Sequence, residues 1–549
     1  MASFIYDRFE YRTAPELAGA GRRRYPVVIV GAGPVGLAAA LDLAQLGIDC
    51  VVLDDNDQVS DGSRAICWAK RTLEIFDRLG VGERMLAKGV TWKVGRIYHG
   101  ERELYHFDLL PEGGHRMPAF INLQQYYVEH FLVARARELG ARIDLRWKNR
   151  VTQVRHLGDG VRLEVETPEG PYRLECDWLI AADGARSAIR GALGHGFSGH
   201  AFEDKFLIVD VRMAADYPSD RRFWFRPRFD PAESVLIHRQ PDDVFRIDFQ
   251  LGRDADVGEA RDPERALARV RRVVGPAADC RFEWCSVYTF KCARMPRFVD
   301  GHVIFAGDSA HLVSPFGARG GNGGIQDVDN LCWKLALILR GLAPSALLAS
   351  YECERGRAAD ENITNARRTT AFMSPATPAE RALRDAVLEL AGAHPFARAL
   401  VNSGRLSRPH DYAGLPGSEA DAAAAPPAMH PGAACLDAPL PGGEGGWLLQ
   451  RLGNRPCALV MAADEAEARA LQAQAAALTT VPGLRTVTVD LSRGEPARLA
   501  GERYGAAAGT TCLIRPDQHV LARWPRWDPA AIADAWRGYI HHPAWEGNV

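Results

Sequence analysis

The sequence lacks the marks of several protein classes. Its eleven cysteines are scattered and include no C-x-x-C pair, which favours reduced thiols over a disulfide framework or a zinc site. No apolar run reaches membrane-spanning length, and the N-terminus M-A-S-F-I-Y-D-R-F-E lacks the charged-then-apolar order of a signal peptide. A formal net charge of -2 without a long Lys/Arg run gives no electrostatic case for nucleic acid. We therefore expect a cytoplasmic protein that binds neither membrane nor nucleic acid.

The bulk composition is that of an ordinary globular protein, with 47% hydrophobic and 25% charged residues. A chain of 549 residues is too long for one hydrophobic core, so we expect roughly two to four domains. Residues 1–24 precede the first expected strand and are interpreted as an extension. The Ala/Pro-rich stretch at 422–434 predicts a linker.

The strongest local pattern is V-V-I-V-G-A-G-P-V-G, followed by an apolar helix pattern and a second strand, C-V-V-L-D. Gly31 permits a tight turn, Gly33 lets the backbone approach a pyrophosphate, and Gly36 lets the helix pack closely on the sheet. Pro34 suits the first helical turn, whose free N–H groups attract phosphates. Asp54 ends the second strand at a position suited to a ribose hydroxyl. An ordinary βα turn explains the glycines but not Asp54, so the pattern predicts a dinucleotide site.

Two further clusters follow expected strands. Asp183 and Gly184 end the buried run D-W-L-I-A-A-D-G-A-R-S-A-I-R, although an Asp-Gly turn alone carries little weight. The run V-I-F-A-G-D-S-A-H-L-V-S-P-F-G-A-R-G-G-N-G-G places Gly307 and Asp308 after a strand. A glycine-rich bend at 317–324 then leads into a helix expected to begin near residue 325, whose N–H groups can face an anion or an electron-rich ring.

Between and beyond these clusters, alternating apolar residues predict a second, β-rich layer at 205–251 with a hairpin at 240–243. The other expected elements are helices at 35–46, 125–139 and 263–274, strands at 286–291 and 302–306, helices to about residue 403, and a C-terminal β-α-β unit with a hairpin, at 457–462, 464–478, 484–490, 511–514 and 520–524.

The three clusters G-A-G-P-V-G, A-A-D-G-A-R-S-A-I-R and A-G-D-S-A-H-L-V-S-P-F-G, in this order, resemble the fingerprints of single-component FAD-dependent aromatic hydroxylases (class A flavoprotein monooxygenases) over residues 25–400. The run L-I-R-P-D-Q-H-V-L-A-R-W is similar to the tail hairpin of the branch that contains phenol hydroxylase and 3-(3-hydroxyphenyl)propionate hydroxylase. The resemblance implies an α/β fold in which a Rossmann-like FAD-binding domain is interleaved with a β-rich substrate domain, as in p-hydroxybenzoate hydroxylase, plus a C-terminal thioredoxin-like domain.

The implied domains can be drawn on the chain. They are an extension at 1–24, an FAD-binding domain at 25–92, 119–195 and 294–375, a substrate domain at 93–118 and 196–293, a helical segment and linker at 376–434, and a thioredoxin-like domain without C-x-x-C at 435–549.

The resemblance also implies roles for single residues. It implies that Gly31, Gly33 and Gly36 contact the FAD pyrophosphate, Asp54 the adenosine ribose and Asp308 the ribityl chain. Arg190 is implied to stabilise the Asp183-Gly184 motif. The full set implied to bind the cofactor is Gly31, Gly33, Gly36, Asp54, Arg64, Gln125, Asp183, Gly184, Arg190, Gly307, Asp308, Pro315, Gly317, Gly320 and Asn322. Arg319 occupies a position often uncharged in the family; it either anchors an anionic substrate or faces solvent.

The implied reaction belongs to aromatic compound catabolism: NADPH or NADH reduces FAD, O2 is captured as a C4a-hydroperoxide, and oxygen passes to an aromatic substrate. Phenol activation calls for a base or relay; Tyr288 and His238 are the candidates, although both also fit ordinary core positions, and Arg246 is expected to be structural. The segment 222–229 either faces the substrate or covers the sheet. The alternatives are a flavin-dependent halogenase, whose W-x-W-x-I-P motif is absent, or another FAD oxidoreductase. No metal is expected. The substrate, the nicotinamide form and the oligomeric state stay open, a homodimer being one candidate.

Overall fold

The computed structural model describes residues 4–19, 24–214, 217–276, 278–401, 406, 408–417, 429–440, 446–476 and 478–546. Most of the expected linker at 422–434 lies outside these residues. The strands in chain order are β1 (Arg24–Val30), β2 (Cys50–Leu53), β3 (Cys67–Ala69), β4 (Val90–Trp92), β5 (Val94–His99), β6 (Arg102–Asp108), β7 (Phe120–Asn122), β8 (Ile143–Arg146), β9 (Arg150–Leu157), β10 (Gly160–Thr167), β11 (Gly170–Ala181), β12 (Ser198–Met213), β13 (Arg221–Phe225), β14 (Ser234–Arg239), β15 (Val244–Leu251), β16 (Cys280–Arg294), β17 (Val299–Asp300), β18 (Val303–Phe305), β19 (His311–Leu312), β20 (Cys457–Ala462), β21 (Arg485–Asp490), β22 (Thr511–Ile514) and β23 (Val520–Trp524).

The α-helices in chain order are α1 (Pro34–Gln45), α2 (Lys70–Arg78), α3 (Gly82–Lys88), α4 (Gln125–Glu138), α5 (Ala188–Ala192), α6 (Val257–Ala260), α7 (Pro263–Val274), α8 (Gly320–Leu339), α9 (Leu348–Met373), α10 (Pro378–Ala391), α11 (Pro395–Val401), α12 (Leu448–Leu452), α13 (Glu465–Ala476), α14 (Glu495–Arg503) and α15 (Pro529–Ile540). Within the described ranges, no helix combines the length and apolar character needed to cross a membrane.

The first sheet contains the dinucleotide-type unit. Its strand order is β17-β18-β11-β1-β2-β8, with β10 and β9 continuing from β11. β1 runs parallel to β2 and β11, and β11 runs parallel to β18. Val27 to Val30 on β1 and the whole of β2 are buried, because α1 and α8 pack against this sheet, as expected for parallel strands covered by helices.

The second sheet has the order β19-β16-β12-β15-β14-β13-β5-β6, antiparallel except for the β13–β5 pair. The predicted hairpin at 240–243 joins β14 to β15 and is confirmed. One face packs against α7 around Phe249, Ala266 and Val270. The opposite face packs against α10 and α11 around Phe225 and Leu388 and is called the inner face below.

The C-terminal sheet has the order β21-β20-β22-β23, with β20 parallel to β21 and antiparallel to β22. The turn between β22 and β23 reaches the first domain. Arg515 in this turn donates two hydrogen bonds, of 2.6 and 2.9 Å, to Glu354 on α9, and Arg71 on α2 donates to Gln518 Oε1 at 3.1 Å. The tail is therefore docked through buried polar groups.

One predicted element was wrong at its start. Helix α8 begins at Gly320 rather than near Ile325. Glycine has the second lowest helix propensity, which argues for a loop, but tertiary contacts override it. The side chain of Asn322 accepts a hydrogen bond from Ala69 N on β3. A Cβ on Gly324 would lie 2.7 Å from Val35 Cγ2 on α1, so the glycine-rich turn packs too closely on α1 to hold larger side chains.

Candidate cofactor and substrate site

Four polar turns lie side by side at one edge of the first sheet. β2, β1, β11 and β18 are parallel neighbours, and Asp54, Gly31, Asp183 and Gly307 follow their ends within two residues. Ligands of open α/β sheets bind in the crevice at the carboxyl ends of the strands. The fold thus brings together three sequence clusters that are far apart in the chain.

The first glycine turn combines close packing with open space. Gly31 has φ of 106°, and a Cβ there would collide with the Ala182 carbonyl. A Cβ on Gly36 would collide with the carbonyl of Gly31, whereas one on Gly33 meets no atom within 4 Å. Gly33 caps the N-terminus of α1, so free space lies in front of a helix N-terminus, where a phosphate group fits.

Asp54 lies beside this turn. Its Oδ2 accepts a hydrogen bond of 2.6 Å from Ala32 N, and its Oδ1 accepts one of 2.8 Å from Asn56 N. Burial raises the pKa of Asp54, and these two N–H donors oppose the rise. Asn56 Nδ2 donates a third bond, of 3.2 Å, to Oδ1. A carboxylate has about four lone-pair sites, so capacity remains on Oδ2 for one ribose hydroxyl.

The loop after β11 is tied to the turn after β18. Asp183 Oδ2 accepts a hydrogen bond of 3.1 Å from Ile189 N, while its buried Oδ1 has no partner among the described residues. Burial raises the pKa of Asp183. Arg190 donates to Ser309 O at 3.0 Å and to a carbonyl of its own loop at 2.8 Å. A Cβ on Gly184 would meet no atom within 4 Å, so this loop too faces open space.

The turn after β18 presents a carboxylate to an enclosed space. Gly307 has φ of 64°, and its N–H donates to Asp327 at 3.0 Å. Asp308 is exposed, yet burial raises its pKa, and the nearby side chains of His311 and Arg64 oppose that rise. A side chain that is both exposed and desolvated faces a cleft surrounded by protein. Arg64 is exposed too, and its positive charge acts on the Asp308 carboxylate.

The second glycine turn leads into α8. Pro315 is exposed, Phe316 is buried, and Gly317 has φ of 95°; Gly320 then begins the helix. Arg319 is only 5% exposed, and its guanidinium folds over Gly317 and donates to Phe316 O at 2.9 Å. The expectation that Arg319 faces solvent is wrong, because this intraturn bond draws its side chain inward.

Asn322 uses its amide within the chain. Its Oδ1 accepts a hydrogen bond of 2.9 Å from Ala69 N, and its Nδ2 donates to Cys67 O at 2.9 Å and to Ala318 O at 2.6 Å. The side chain therefore joins β3 to the second glycine turn.

Gln125 is engaged in the same way. Its Oε1 accepts from Ala65 N at 3.1 Å, and its Nε2 donates to Ser60 Oγ at 3.1 Å and to Glu129 Oε1 at 2.8 Å. The amide thereby fixes the loop that carries Arg64 at the rim of the enclosed space.

The inner face of the second sheet carries three rows of side chains set by strand register. The first row is Arg221, His238, Arg246, Asp210 and Trp284; the second is Ile97, Phe223, Leu236, Asp248, Ile208 and Ser286; the third is Phe225, Ser234, Gln250, Phe206 and Tyr288. The face changes from charged to aromatic along the strands. In the segment 222–229, Phe223 and Phe225 lie on this face and Trp224 lies on the other, in the cluster around α7.

Tyr288 and His238, the two candidate bases, share this face but lie far apart. They are three strands and two rows from each other. With a strand spacing of about 4.8 Å and a rise of about 3.4 Å per residue, their backbones are roughly 20 Å apart. They cannot both touch one single-ring substrate.

His238 is 5% exposed, and its Nδ1 lies 4.0 Å from Cys67 Sγ. Burial, followed by the cations Arg221 and Arg246, holds its pKa well below the usual value, so the imidazole is neutral at neutral pH. Tyr288 instead borders the aromatic cluster that contains Phe316.

Phe316 links the second glycine turn to the sheet. Its ring centroid lies 4.9 Å from that of Phe206 and 5.4 Å from that of Phe290. We call these three rings the aromatic wall. Sequence reasoning did not single out Phe316, although it stands inside the quoted P-F-G motif.

Two other residues of the first row were also missed. Burial raises the pKa of the Asp210 carboxyl to about 7, and Arg221 lies beside His238 by register. Neither stands in a motif, so only strand register across distant segments reveals them. Arg246 donates to Ser63 O at 2.7 Å and to Arg64 O at 2.9 Å, and so holds the Arg64 loop, in line with the structural role expected for it.

Comparisons with known proteins agree with this geometry. A family model described as an FAD binding domain matches residues 24–366. The 12-dehydrotetracycline 5-monooxygenase/anhydrotetracycline 6-monooxygenase of Streptomyces rimosus subsp. rimosus is 33% identical over 388 residues, covering 67% of this chain and 73% of that protein. The para-nitrophenol 4-monooxygenase of Pseudomonas sp. strain WBC-3 is 30% identical over 377 residues, covering 67% and 91%.

The fold is shared with proteins of known structure. The flavin-dependent monooxygenase PieE, solved with FAD and substrate, has a TM-score of 0.78 at 24% identity, covering 95% of this chain and 99% of that one. BexE has a TM-score of 0.68 at 29% identity, covering 93% and 98%. The family model spans more than half of the chain, and the hydroxylase interpretation is confirmed over the halogenase alternative. The chain belongs to the FAD-binding-domain family and, within it, to the single-component FAD-dependent aromatic monooxygenases.

Proposed function

We propose that this protein hydroxylates a phenolic substrate, with NADPH or NADH as electron donor and O2 as the oxygen source, and that FAD binds across the four turns. The pyrophosphate lies at the turn of Gly31, Gly33 and Gly36, and the adenosine ribose lies at Asp54. The ribityl chain lies at Asp308, near Gly307 and Arg64. The remaining proposed contacts are Asp183, Gly184, Arg190, Pro315, Gly317 and Gly320. Gln125 and Asn322 contribute by holding these segments, since their amides are already bonded within the chain.

The position of Phe316 carries the proposal. It belongs at once to the second glycine turn, where the flavin ring is proposed, and to the aromatic wall on the inner face. A substrate ring packed on this wall is therefore next to the flavin. Bound FAD supplies O2 activation and oxygen transfer, while the protein binds the ring, orients it and excludes water.

Tyr288 is the better placed of the two candidate catalytic residues, because it borders the aromatic wall. Its hydroxyl would accept a hydrogen bond from a phenol or donate one to a phenolate. His238, at the far end of the inner face, is a weak base because its pKa is depressed. We propose it as a neutral hydrogen-bonding group for the more distant part of a substrate.

The relatives favour a phenolic substrate, since a nitrophenol and anhydrotetracycline are named for two of them. We further propose the domain division given above and a thioredoxin-like fold for the tail, which its β-α-β unit and following hairpin support. The tail has no C-x-x-C pair, so we assign it a structural role.

The test is oxidation of NADPH and NADH by the FAD-loaded protein with a panel of phenols. We expect a phenol to stimulate oxidation and to yield a product heavier by one oxygen atom, with label from 18O2. Absence of stimulation by every phenol, or a product that depends on added halide, would defeat the proposal. Replacement of Tyr288 by Phe should lower kcat about tenfold or more, whereas Tyr11→Phe, near the N-terminus, should leave it unchanged.

A further inference from the structure

One guanidinium on the inner face, that of Arg221, has no polar partner within the described part of the chain. Arg221 begins β13, is half-buried, and forms no hydrogen bond or ion pair with any residue that the structure describes. Its neighbours are engaged: Arg246 donates to Asp248 at 2.9 Å, and Arg222 donates to Asp220 at 3.0 Å. An unpaired cation in a protein interior is costly unless a ligand completes it.

Strand register and electrostatics locate the Arg221 side chain. Arg222 and Ile237 are register partners on the opposite face, so Arg221 and His238 meet on the inner face. Burial is the largest influence on the pKa of His238 and of the Cys67 thiol, and the charge of Arg221 is the first electrostatic influence on both. Cys67 belongs to β3, which forms a separate three-stranded sheet with β7 and β4. The guanidinium therefore lies between the second sheet and β3.

This position is close to the second glycine turn. Asn322 Nδ2 donates to Cys67 O at 2.9 Å and to Ala318 O at 2.6 Å, so β3 and the turn are joined by one side chain. Cys67 and Ala318 also border the same small apolar cluster. A substrate group bound by Arg221 would therefore lie close to the second glycine turn.

The surface next to Arg221 suits an aromatic ring. Gly95 is its register partner on β5, and a Cβ there would collide with the ring of Phe107, so this ring lies directly over the glycine. Phe107 borders both the apolar cluster near Cys67 and the one that contains the aromatic wall. An apolar surface thus continues from the wall to the guanidinium.

The local charge favours an anion. Arg221 and Arg246 are cations, His238 is neutral, and the carboxylate of Asp248 is already bonded by Arg246. The acid of the first row, Asp210, lies beyond Arg246 on β12, and burial raises its pKa to about 7. Burial lowers the pKa of Arg221, and the opposing attraction of Cys67 and Asp248 does not restore it. An anionic oxygen bound to the guanidinium would supply the missing compensation.

We propose that Arg221 binds an anionic oxygen of the aromatic substrate, a carboxylate or a phenolate, and so selects acidic aromatic substrates. The proposal rests on the hydroxylase function proposed above. Arg221 is a specificity residue in it, with a fork of N–H donors that matches a carboxylate.

The test measures binding to the FAD-loaded protein by calorimetry, with 3-hydroxybenzoate, 3-hydroxybenzamide, phenol and benzoate as probes. For a carboxylate ligand, Arg221→Gln should raise the Kd of the two acids about tenfold or more and leave that of the amide and of phenol within about twofold. For a phenolate ligand, the three hydroxylated probes should weaken together, and more at pH 9 than at pH 7. Arg221→Lys, which keeps the charge, should retain part of the affinity.

Arg222→Gln is the matched control, because it changes the next residue on the opposite face of the same strand. FAD content and the thermal midpoint show whether each variant is folded. If Arg221→Gln is unfolded, Arg221→Lys takes its place in the binding test. An unchanged Kd for every probe in Arg221→Gln, an equal effect of Arg222→Gln, or no binding of any acid or phenol to the wild type would overturn the proposal. If no phenol stimulates NAD(P)H oxidation but Arg221→Gln still loses benzoate affinity, only the hydroxylase function fails.

Discussion

At the scale of single residues, Asp210 makes the free energy of unfolding depend on pH. Burial raises the pKa of its carboxyl from 3.8 to about 7, so folding favours the protonated form. The contribution of Asp210 to the free energy of unfolding is therefore fully present below pH 4 and is lost as the pH rises to 7. At about 1.4 kcal/mol per pKa unit, the loss amounts to about 4 kcal/mol. Asp210→Asn keeps the neutral shape and removes this loss.

We expect Asp210→Asn to gain stability relative to the wild type when the pH rises from 5 to 8. Urea unfolding of both proteins at the two pH values gives the difference between their free energies of unfolding. The contributions of the other titrating groups cancel in this difference. A variant whose stability relative to the wild type is the same at both values would show that Asp210 titrates as an exposed carboxylate does.

Single residues also show where sequence reasoning ends. Gly31 and Asp54 were predictable because their roles arise within one contiguous β-α-β unit. Arg221 was not, since its surroundings come from β3, β14 and β15, and nothing in the local run R-R-F-W-F distinguishes it from Arg222. The solvent-facing alternative for Arg319 was wrong, because its bond to Phe316 O depends on the conformation of the turn, which the sequence does not show.

At the scale of elements, the β1–α1 turn separates two kinds of glycine. A Cβ on Gly36 would collide with the carbonyl of Gly31, whereas one on Gly33 meets no atom of the protein within 4 Å. Gly36→Ala should therefore destabilise the FAD-free protein by about 1–3 kcal/mol, as overpacking does. Gly33→Ala should leave its thermal midpoint unchanged and weaken FAD binding, because the new methyl group occupies the space proposed for the pyrophosphate.

Thermal unfolding without FAD and fluorescence titration with FAD provide the two measurements. Normal FAD affinity in Gly33→Ala would remove the pyrophosphate from this turn and with it the proposed orientation of the cofactor. Loss of thermal stability in Gly33→Ala would show instead that the space in front of α1 is not open.

Other elements explain what sequence patterns missed. The G-G-N-G-G run predicts a loop from its propensity, but contacts of Asn322 with β3 and of Gly324 with α1 extend α8 to Gly320. Such contacts join segments more than 200 residues apart, so they are invisible to a local reading. The alternating strands of the second sheet were predictable as a layer, whereas the rows of its inner face required the register.

At the scale of the whole molecule, a buried charge cluster joins the tail to the FAD-binding domain. Glu354 accepts hydrogen bonds from Arg515 at 2.6 and 2.9 Å, from Lys334 at 2.8 Å and from Tyr539 at 2.9 Å. Burial opposes ionisation, but the two cations prevail and lower the pKa of Glu354 to about 2. The carboxylate is thus held ionised between α8, α9 and the tail.

Glu354→Gln should destabilise the full chain by about 3–5 kcal/mol, because it leaves the buried Lys334 without its anion and leaves Arg515 paired with Asp517 alone. Glu138→Gln is the matched control: it removes the same charge from the exposed pair of Glu138 with Arg84 and should cost at most about 1 kcal/mol. Urea unfolding of both variants, followed by tryptophan fluorescence, gives the two values. Since α8 begins at the second glycine turn, Glu354→Gln should also bind FAD more weakly. Equal costs for the two variants would mean that apolar packing, and not this cluster, docks the tail.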